Sequence, residues 1–305
     1  MFKISNSILF LFFFCSCQAQ TTDHAFDNNN DQKFNNYWYK GKAEISHYTL
    51  TQSRYGQLRN GEVIIIYVTE DFLKDKQVKN ESGENINSIP ILKLNKHTRF
   101  VTGIYDYSIM GSTFTPIEIS KYPATLKVTS SIQDWCGQSF MQLNNNIKNI
   151  DCKSFSYFEN EGDQEISLPK TYMEDDVWTR LRMNPQALPL GKIEMIPAAT
   201  FFRLSHQPIK AYEAKAILSI MVEDSKTGKE FYVYEITYPS LKRSIKIKYD
   251  KNFPYQIVEW EENLDTSKKD SNLVTIAKLD KTLLLDYWNK NGLEFESLRK
   301  ELGIK

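Results

Sequence analysis

Apolar and polar residues alternate with period two along most of this chain, the spacing of strands with one buried face. Ala43, Ile45 and His47 alternate with Lys42, Glu44 and Ser46, which predicts a strand with the second set in water. Asn60-Gly61 is a pair that a tight hairpin turn accepts, because Gly takes positive φ at little steric cost. Residues 63–68, Val-Ile-Ile-Ile-Tyr-Val, form a continuous apolar run and predict a strand covered on both faces. Further strands are expected over 91–94, 99–107, 124–130, 139–143 and 154–158, after a polar loop at 79–88. A second set is expected over 200–204, 214–222, 231–238, 244–249, 255–261 and 273–279. Within it Ile245, Ile247 and Tyr249 face a core, while Ser244, Lys246 and Lys248 face water.

One period-3.6 segment interrupts the strands. Met173, Val177 and Leu181 recur at fourfold spacing, and Pro185 stops the helix near Met183. Thr171 followed by Glu174 fits a capping box, with Asp175 and Asp176 at the positive end of the helix dipole. Residues 283–288 and 293–302 read as helical, with Gly303 as a stop. The fold class expected is therefore mainly β (α+β). It has about a dozen antiparallel strands curled into barrel or half-barrel sheets, one capped central helix and a C-terminal helical segment.

The first residues change the picture from architecture to address. Lys3 gives a short positive region, residues 8–14 an unbroken apolar run, and Ser16 a small residue before Cys17. This is the order of an export signal, and the run is too short for a spanning helix of roughly 20 residues. The Phe-Cys-Ser-Cys ending resembles a bacterial lipobox, which makes Cys17 the acylated residue. Ordinary cleavage near Ala19-Gln20, leaving a secreted or periplasmic protein, is the alternative. With Gln18 after the cysteine, the expected location is the outer membrane, the domain facing the periplasm. The organisation expected is a signal peptide (1–16), a polar tether (17–36), a β-rich half (37–168), a helix and Pro-rich bridge (169–198) and a second β-rich half (199–305).

Charge narrows the partners. Removal of residues 1–16 deletes only Lys3, leaving one net negative charge and no long single-sign block, which argues against nucleic acid. The expected partners are the membrane, through the lipid anchor, and an apolar ligand or an envelope protein.

Candidate chemistry is sparse. Cys136 and Cys152 are the two cysteines of the mature body, and an oxidising compartment permits a disulfide between them; a pair of free buried thiols is the other reading. Trp135-Cys136-Gly137 opens like a thioredoxin site, but Ser139 stands where the second thiol belongs. A Cys–His hydrolase would require Cys136 beside His47, His97 or His206. Residues 159–165 carry four carboxylates around Gly162 without EF-hand spacing, and read as a turn. The four histidines are too scattered for a metal site, and no cofactor is expected. The stripes Tyr232, Tyr234, Tyr238 and Phe155, Tyr157 read as core faces, or as the lining of an apolar cavity in a curled sheet.

Several segments carry a family resemblance together: Tyr37-Trp38-Tyr39 through Gly41-Lys42-Ala43-Glu44-Ile45, Ser53-Arg54-Tyr55-Gly56, Val68-Thr69-Glu70-Asp71-Phe72, Asp134-Trp135-Cys136-Gly137, Ser156-Tyr157-Phe158-Glu159 with the acidic run to Glu165, Phe253-Pro254-Tyr255, and the ending at 299–303. The set resembles a family of exported bacterial lipoproteins often labelled "septum formation inhibitor Maf". The phosphate-binding loop of the nucleotide pyrophosphatases of that name is absent. The resemblance thus implies family membership and location, and no activity. The expectation is a non-catalytic binding or envelope-support module, with a thiol enzyme centred on Cys136 as the alternative.

Overall fold

The computed structural model describes residues 32–224, 228–264 and 273–304. A short helix α1 (Gln32–Trp38) comes first, then β1 (Ala43–Arg54) and β2 (Gln57–Leu73). Phe34 and Trp38 of α1 are buried against Phe253 and Tyr67, so the last residues of the expected tether are folded. The expected signal peptide, Cys17 and most of the expected tether lie outside the described residues. The β1–β2 turn is Tyr55-Gly56, with φ of 55° and 69°, the two positive values of a tight hairpin turn. Asn60-Gly61 is not a turn but lies inside β2. Gly61 is needed for a different reason: a Cβ there would come within 2.8 Å of the Phe100 Cβ and press on the Arg99 carbonyl. Gly61→Ala is expected to cost about 1–3 kcal/mol by overpacking. A urea midpoint equal to that of the parent would show that the neighbouring strand can simply move away.

The chain continues through β3 (Val78–Lys79), β4 (Ser88–Thr102), β5 (Tyr105–Pro116), β6 (Lys127–Asp134), β7 (Gly137–Asn145), β8 (Asn149–Ser156) and β9 (Gln164–Pro169). The second run is β10 (Tyr172–Met173), α2 (Glu174–Met183), β11 (Gly191–Ile196), α3 (Ala199–Ser205), β12 (Tyr212–Asp224), β13 (Lys229–Tyr238), β14 (Arg243–Asp250), β15 (Ile257–Leu264), β16 (Thr275–Leu285) and α4 (Ser297–Leu302). All the strands belong to one 16-stranded sheet, and β16 pairs with β1 to join the two runs. Each run is an antiparallel meander except at β10 and β11, which pair in parallel and so depart from the antiparallel expectation. The sheet is open. Its edges, β9 and β10, do not pair with each other, so a closed barrel does not describe it. Among the described residues no helix is long and apolar enough to cross a membrane.

The inner face of the sheet wraps one large core. Inward residues of β1, β2, β4 and β5 (Tyr48, Leu50, Val63, Ile65, Leu94, Ile109) meet those of β13, β14 and β15 (Tyr234, Ile245, Trp260), with α2 and α3 packed among them. On the outer face Leu302 of α4 covers Ala43, Ile45 and Val68, with Ile64 and Ile66 beside them, which is why the apolar run of β2 has two buried faces. Residues 200–204, expected as a strand, are helix α3, and residues 283–285 close β16 instead of opening a helix. A short apolar run has no period that separates strand from buried helix. Phe155 and Tyr157, expected in a core, point outward and are exposed, whereas Tyr234 and Tyr238 are fully buried.

Candidate functional site

Helix α2 is surrounded on all sides, with nine of its ten residues buried, although its sequence EDDVWTRLRM is half charged. Its charges are tolerated because each finds a partner inside. Arg182 donates from both terminal nitrogens to Glu44 of β1 at 2.6 and 2.7 Å, and from Nε to the Pro254 carbonyl at 2.8 Å. Tyr37 donates its hydroxyl to the same carboxylate. Burial pushes the Glu44 carboxyl up, but the Arg182 guanidinium outweighs it and holds the group below its ordinary value. Glu44, expected on a wet face, is thus among the most enclosed residues of the protein.

The other end of α2 is built in the same way. Met173 at the N-cap makes no side-chain hydrogen bond, and Thr171 donates to the Glu194 carbonyl at 2.6 Å, so there is no capping box. Glu174 is instead clamped by Arg243 of β14 at 2.5 and 2.7 Å and accepts from the Tyr238 hydroxyl at 2.9 Å. The Nε of Arg243 donates to Glu262 of β15 at 2.6 Å. Asp176 pairs with Arg180 and accepts from the Thr125 hydroxyl. Asp175 accepts from the Ala199 N–H at 2.9 Å, which satisfies one free donor at the start of α3.

Beside these pairs lies a cavity of about 440 Å³, within the roughly 300–1,000 Å³ range of small-molecule sites. Its walls come from β1, β2, β4, β5, β14, β15 and β16, with α2 and α3 closing one side. Leu50, Val63, Leu94, Ile109, Trp178 and Trp260 make the apolar lining, and Arg54 and Tyr55 stand at the β1–β2 turn. The polar groups are Asp175, the Glu174–Arg243–Glu262 cluster, and Lys96. The Lys96 Nζ sits 3.8 Å from the ring centre of Trp178 and 4.5 Å from that of Trp260, while the two indoles meet edge to face at 5.2 Å. Such a cation–π pair offsets part of the cost of removing an ammonium from water. Burial pushes the Lys96 ammonium down to about 8, against the pull of Glu262, Glu174 and Asp175. Burial pushes the Asp175 carboxyl up to about 7, although the Ala199 N–H opposes it. Two groups that burial shifts toward neutrality in one cavity mark it as the candidate site.

The thiols lie elsewhere. Cys136 is a free, exposed thiol in the β6–β7 turn, and Cys152 is a free, buried one in β8, where burial pushes it up to about 12. Cys152 is level with Leu143, near the far end of β7. The separation is roughly 20 Å at ~3.3 Å per residue, far beyond disulfide reach. The neighbouring residues form strand β7, so Cys136 has no helix dipole behind it. His47 is held by Asp280, His97 by Ser108, and His206 by Glu161; none of the three hydrogen-bonds Cys136. Among the described residues no His, Cys, Asp or Glu group has the geometry to hold a metal. The acidic segment near Gly162 is a turn, with Glu161 taken by Ser156 and His206. A second, polar hollow of about 270 Å³ adjoins it on the opposite side of α3, lined by Ser130, Ser139, Ser154, Arg203 and His206.

The sequence reading missed Lys96 and Asp175. One signal was available: inward positions of β4 run Leu92, Leu94, Lys96, Thr98, Phe100, so the lysine occupies the parity of a buried row. Compared with family models, curated proteins and solved structures, the chain matches none.

Proposed function

We propose that this chain is a non-catalytic binding module of the cell envelope, holding a small, largely apolar molecule in the cavity between α2, α3 and the inner face of the sheet. The cavity itself carries the reading. A volume of about 440 Å³ has room for about fifteen waters at ~30 Å³ each, yet indole and aliphatic side chains make much of its wall. Leaving that surface wet in the folded state costs roughly 25 cal/mol per Å², a cost a bound apolar molecule removes. The half-barrel curl serves this purpose, since a sheet bent around two helices can enclose a space that a flat one cannot. Lipid attachment at Cys17, with the domain in the periplasm, supplies the setting in this reading, as does the family resemblance. It rests on the order Lys3, apolar run, Ser16, Cys17.

Among the described residues no histidine hydrogen-bonds Cys136, which favours binding over thiol chemistry. The test is extraction of the purified full chain with organic solvent, with native mass spectrometry before and after. A bound small molecule at near-stoichiometric yield is expected, and Ile109→Trp, which narrows the cavity, is expected to lower that yield at least about tenfold. An empty protein that also fails to take up an apolar fluorescent dye would sink the proposal.

A further inference from the structure

We propose that the cavity ligand is an amphipathic organic acid, and that Lys96 is its head-group anchor: one anionic oxygen group on the Lys96 ammonium, the apolar body along Leu50, Val63 and Ile109. The inference rests on the cavity being a ligand site and adds the chemistry of what enters it.

The argument is an accounting of donors. An ammonium carries three N–H groups and no acceptor. The carboxylates around Lys96 are already committed: Glu174 to Arg243 and Tyr238, Glu262 to Arg243, and Asp175 to the Ala199 N–H. Among the described residues Lys96 makes no hydrogen bond and no ion pair, and it lies against the faces of Trp178 and Trp260. Ring faces attract the charge but supply no lone pairs, so in the unliganded cavity water is left to accept from the three donors, and water brings no counter-charge. A ligand that brings an anionic oxygen supplies both the acceptor and the counter-charge. A ligand cation is disfavoured because Lys96 already fills the indole corner.

The wall beside Lys96 is shaped for the same occupant. Lys96 pairs across the β4–β5 ladder with Gly111, so both face the cavity. A Cβ on Gly111 would meet nothing nearer than the Thr129 carbonyl at 4.0 Å. No packing constraint requires glycine there, and its effect is to leave open the space beside the ammonium.

The experiment measures binding of decanoate and of 1-decanol to the full chain by calorimetry, for the parent, Lys96→Met and Gly111→Leu. Lys96→Met keeps the stem between the indoles and removes a buried charge, so its thermal midpoint should not fall below that of the parent. The parent is expected to bind decanoate about tenfold to a hundredfold more tightly than decanol, the range for a charge-assisted hydrogen bond. Lys96→Met should erase that difference while retaining decanol, and Gly111→Leu should weaken both probes. Equal binding of the two probes, unchanged in Lys96→Met and lost in Gly111→Leu, overturns the head-group assignment and leaves the cavity reading standing. Binding of neither probe by the parent overturns both.

Discussion

Replacing Glu44 with Gln is expected to cost about 3–5 kcal/mol of folding stability, the range for stranding one member of a buried ion pair. Arg182 and Glu44 are both fully enclosed, and among the described residues the bidentate contact at 2.6 and 2.7 Å is the guanidinium's one ion pair. The faces of Tyr67 and Trp38, 4.8 and 5.2 Å from the guanidinium carbon, do not replace a carboxylate. Because the folded Glu44 carboxyl titrates below its unfolded value, the contribution is fully present above about pH 4.5 and is lost as pH falls through the folded value. The gap between parent and Glu44→Gln should therefore shrink in acid. Removing both charges in Glu44→Leu/Arg182→Met should recover part of the loss. It will not recover all of it, since the Tyr37 hydroxyl and the Pro254 carbonyl then lose their partners. Urea titrations of the parent and the two variants at neutral and acid pH decide the matter. A single-variant loss below about 1 kcal/mol would mean that water reaches Arg182.

That clamp ties α2 to β1, and the Glu174–Arg243 clamp ties its other end to β14. The two clamps hold one helix between strands from both runs of the meander, leaving Trp178 and Asp175 directed at the cavity between them. Rigid positioning of a cavity wall by paired charges, where apolar packing alone would allow sliding, links the fold to the site.

How much of this was legible depended on which residues carried the pattern. The phase of α2 was readable from Met173, Val177 and Leu181, all of which are buried, and so was the alternation of Ile245, Ile247 and Tyr249. The general β character followed from the same period. What failed was the meaning of polar residues. Lys96, His97 and Thr98 broke the apolar signal, so only 91–94 of β4 read as its own strand. The strand expected at 99–107 runs across the β4–β5 turn, since β4 ends at Thr102 and β5 begins at Tyr105. The break coincided with the site, because a binding cavity puts polar groups at positions that patterning reserves for core. Glu44 and Ser46 misled for the same reason, since their partners Arg182 and Thr282 lie far away in sequence. Glu174, Asp175 and Asp176 looked like routine helix-start acids, and only the tertiary structure distinguishes a clamp, a cavity group and an internal pair.

Asp175 gives the sharpest pH signature. Asp175→Asn is expected to stabilise the protein at neutral pH by a few kcal/mol, with about 4 kcal/mol as the ceiling for a carboxyl moved from near 4 to about 7. The sign follows from the raised value. Below about pH 4 both folded and unfolded chains hold the proton, and the substitution changes little. Between about pH 4 and pH 7 the unfolded chain ionises while the enclosed carboxyl cannot, so the parent loses stability progressively. Above about pH 7 the deficit is constant. An Asn amide oxygen can still accept from the Ala199 N–H, so the start of α3 keeps its partner. The charges facing Asp175 are Glu174 beside it, Lys96 on β4 and Arg243 on β14. The first favours neutralising Asp175 and the other two oppose it, so burial decides the direction. Urea midpoints of the parent and Asp175→Asn, followed from acid to alkaline pH, should coincide at the low end and separate upward. A variant that is less stable than the parent at pH 8 would show that the ionised carboxylate is held by a favourable contact, and that the cavity welcomes a negative charge at Asp175 as well as at Lys96.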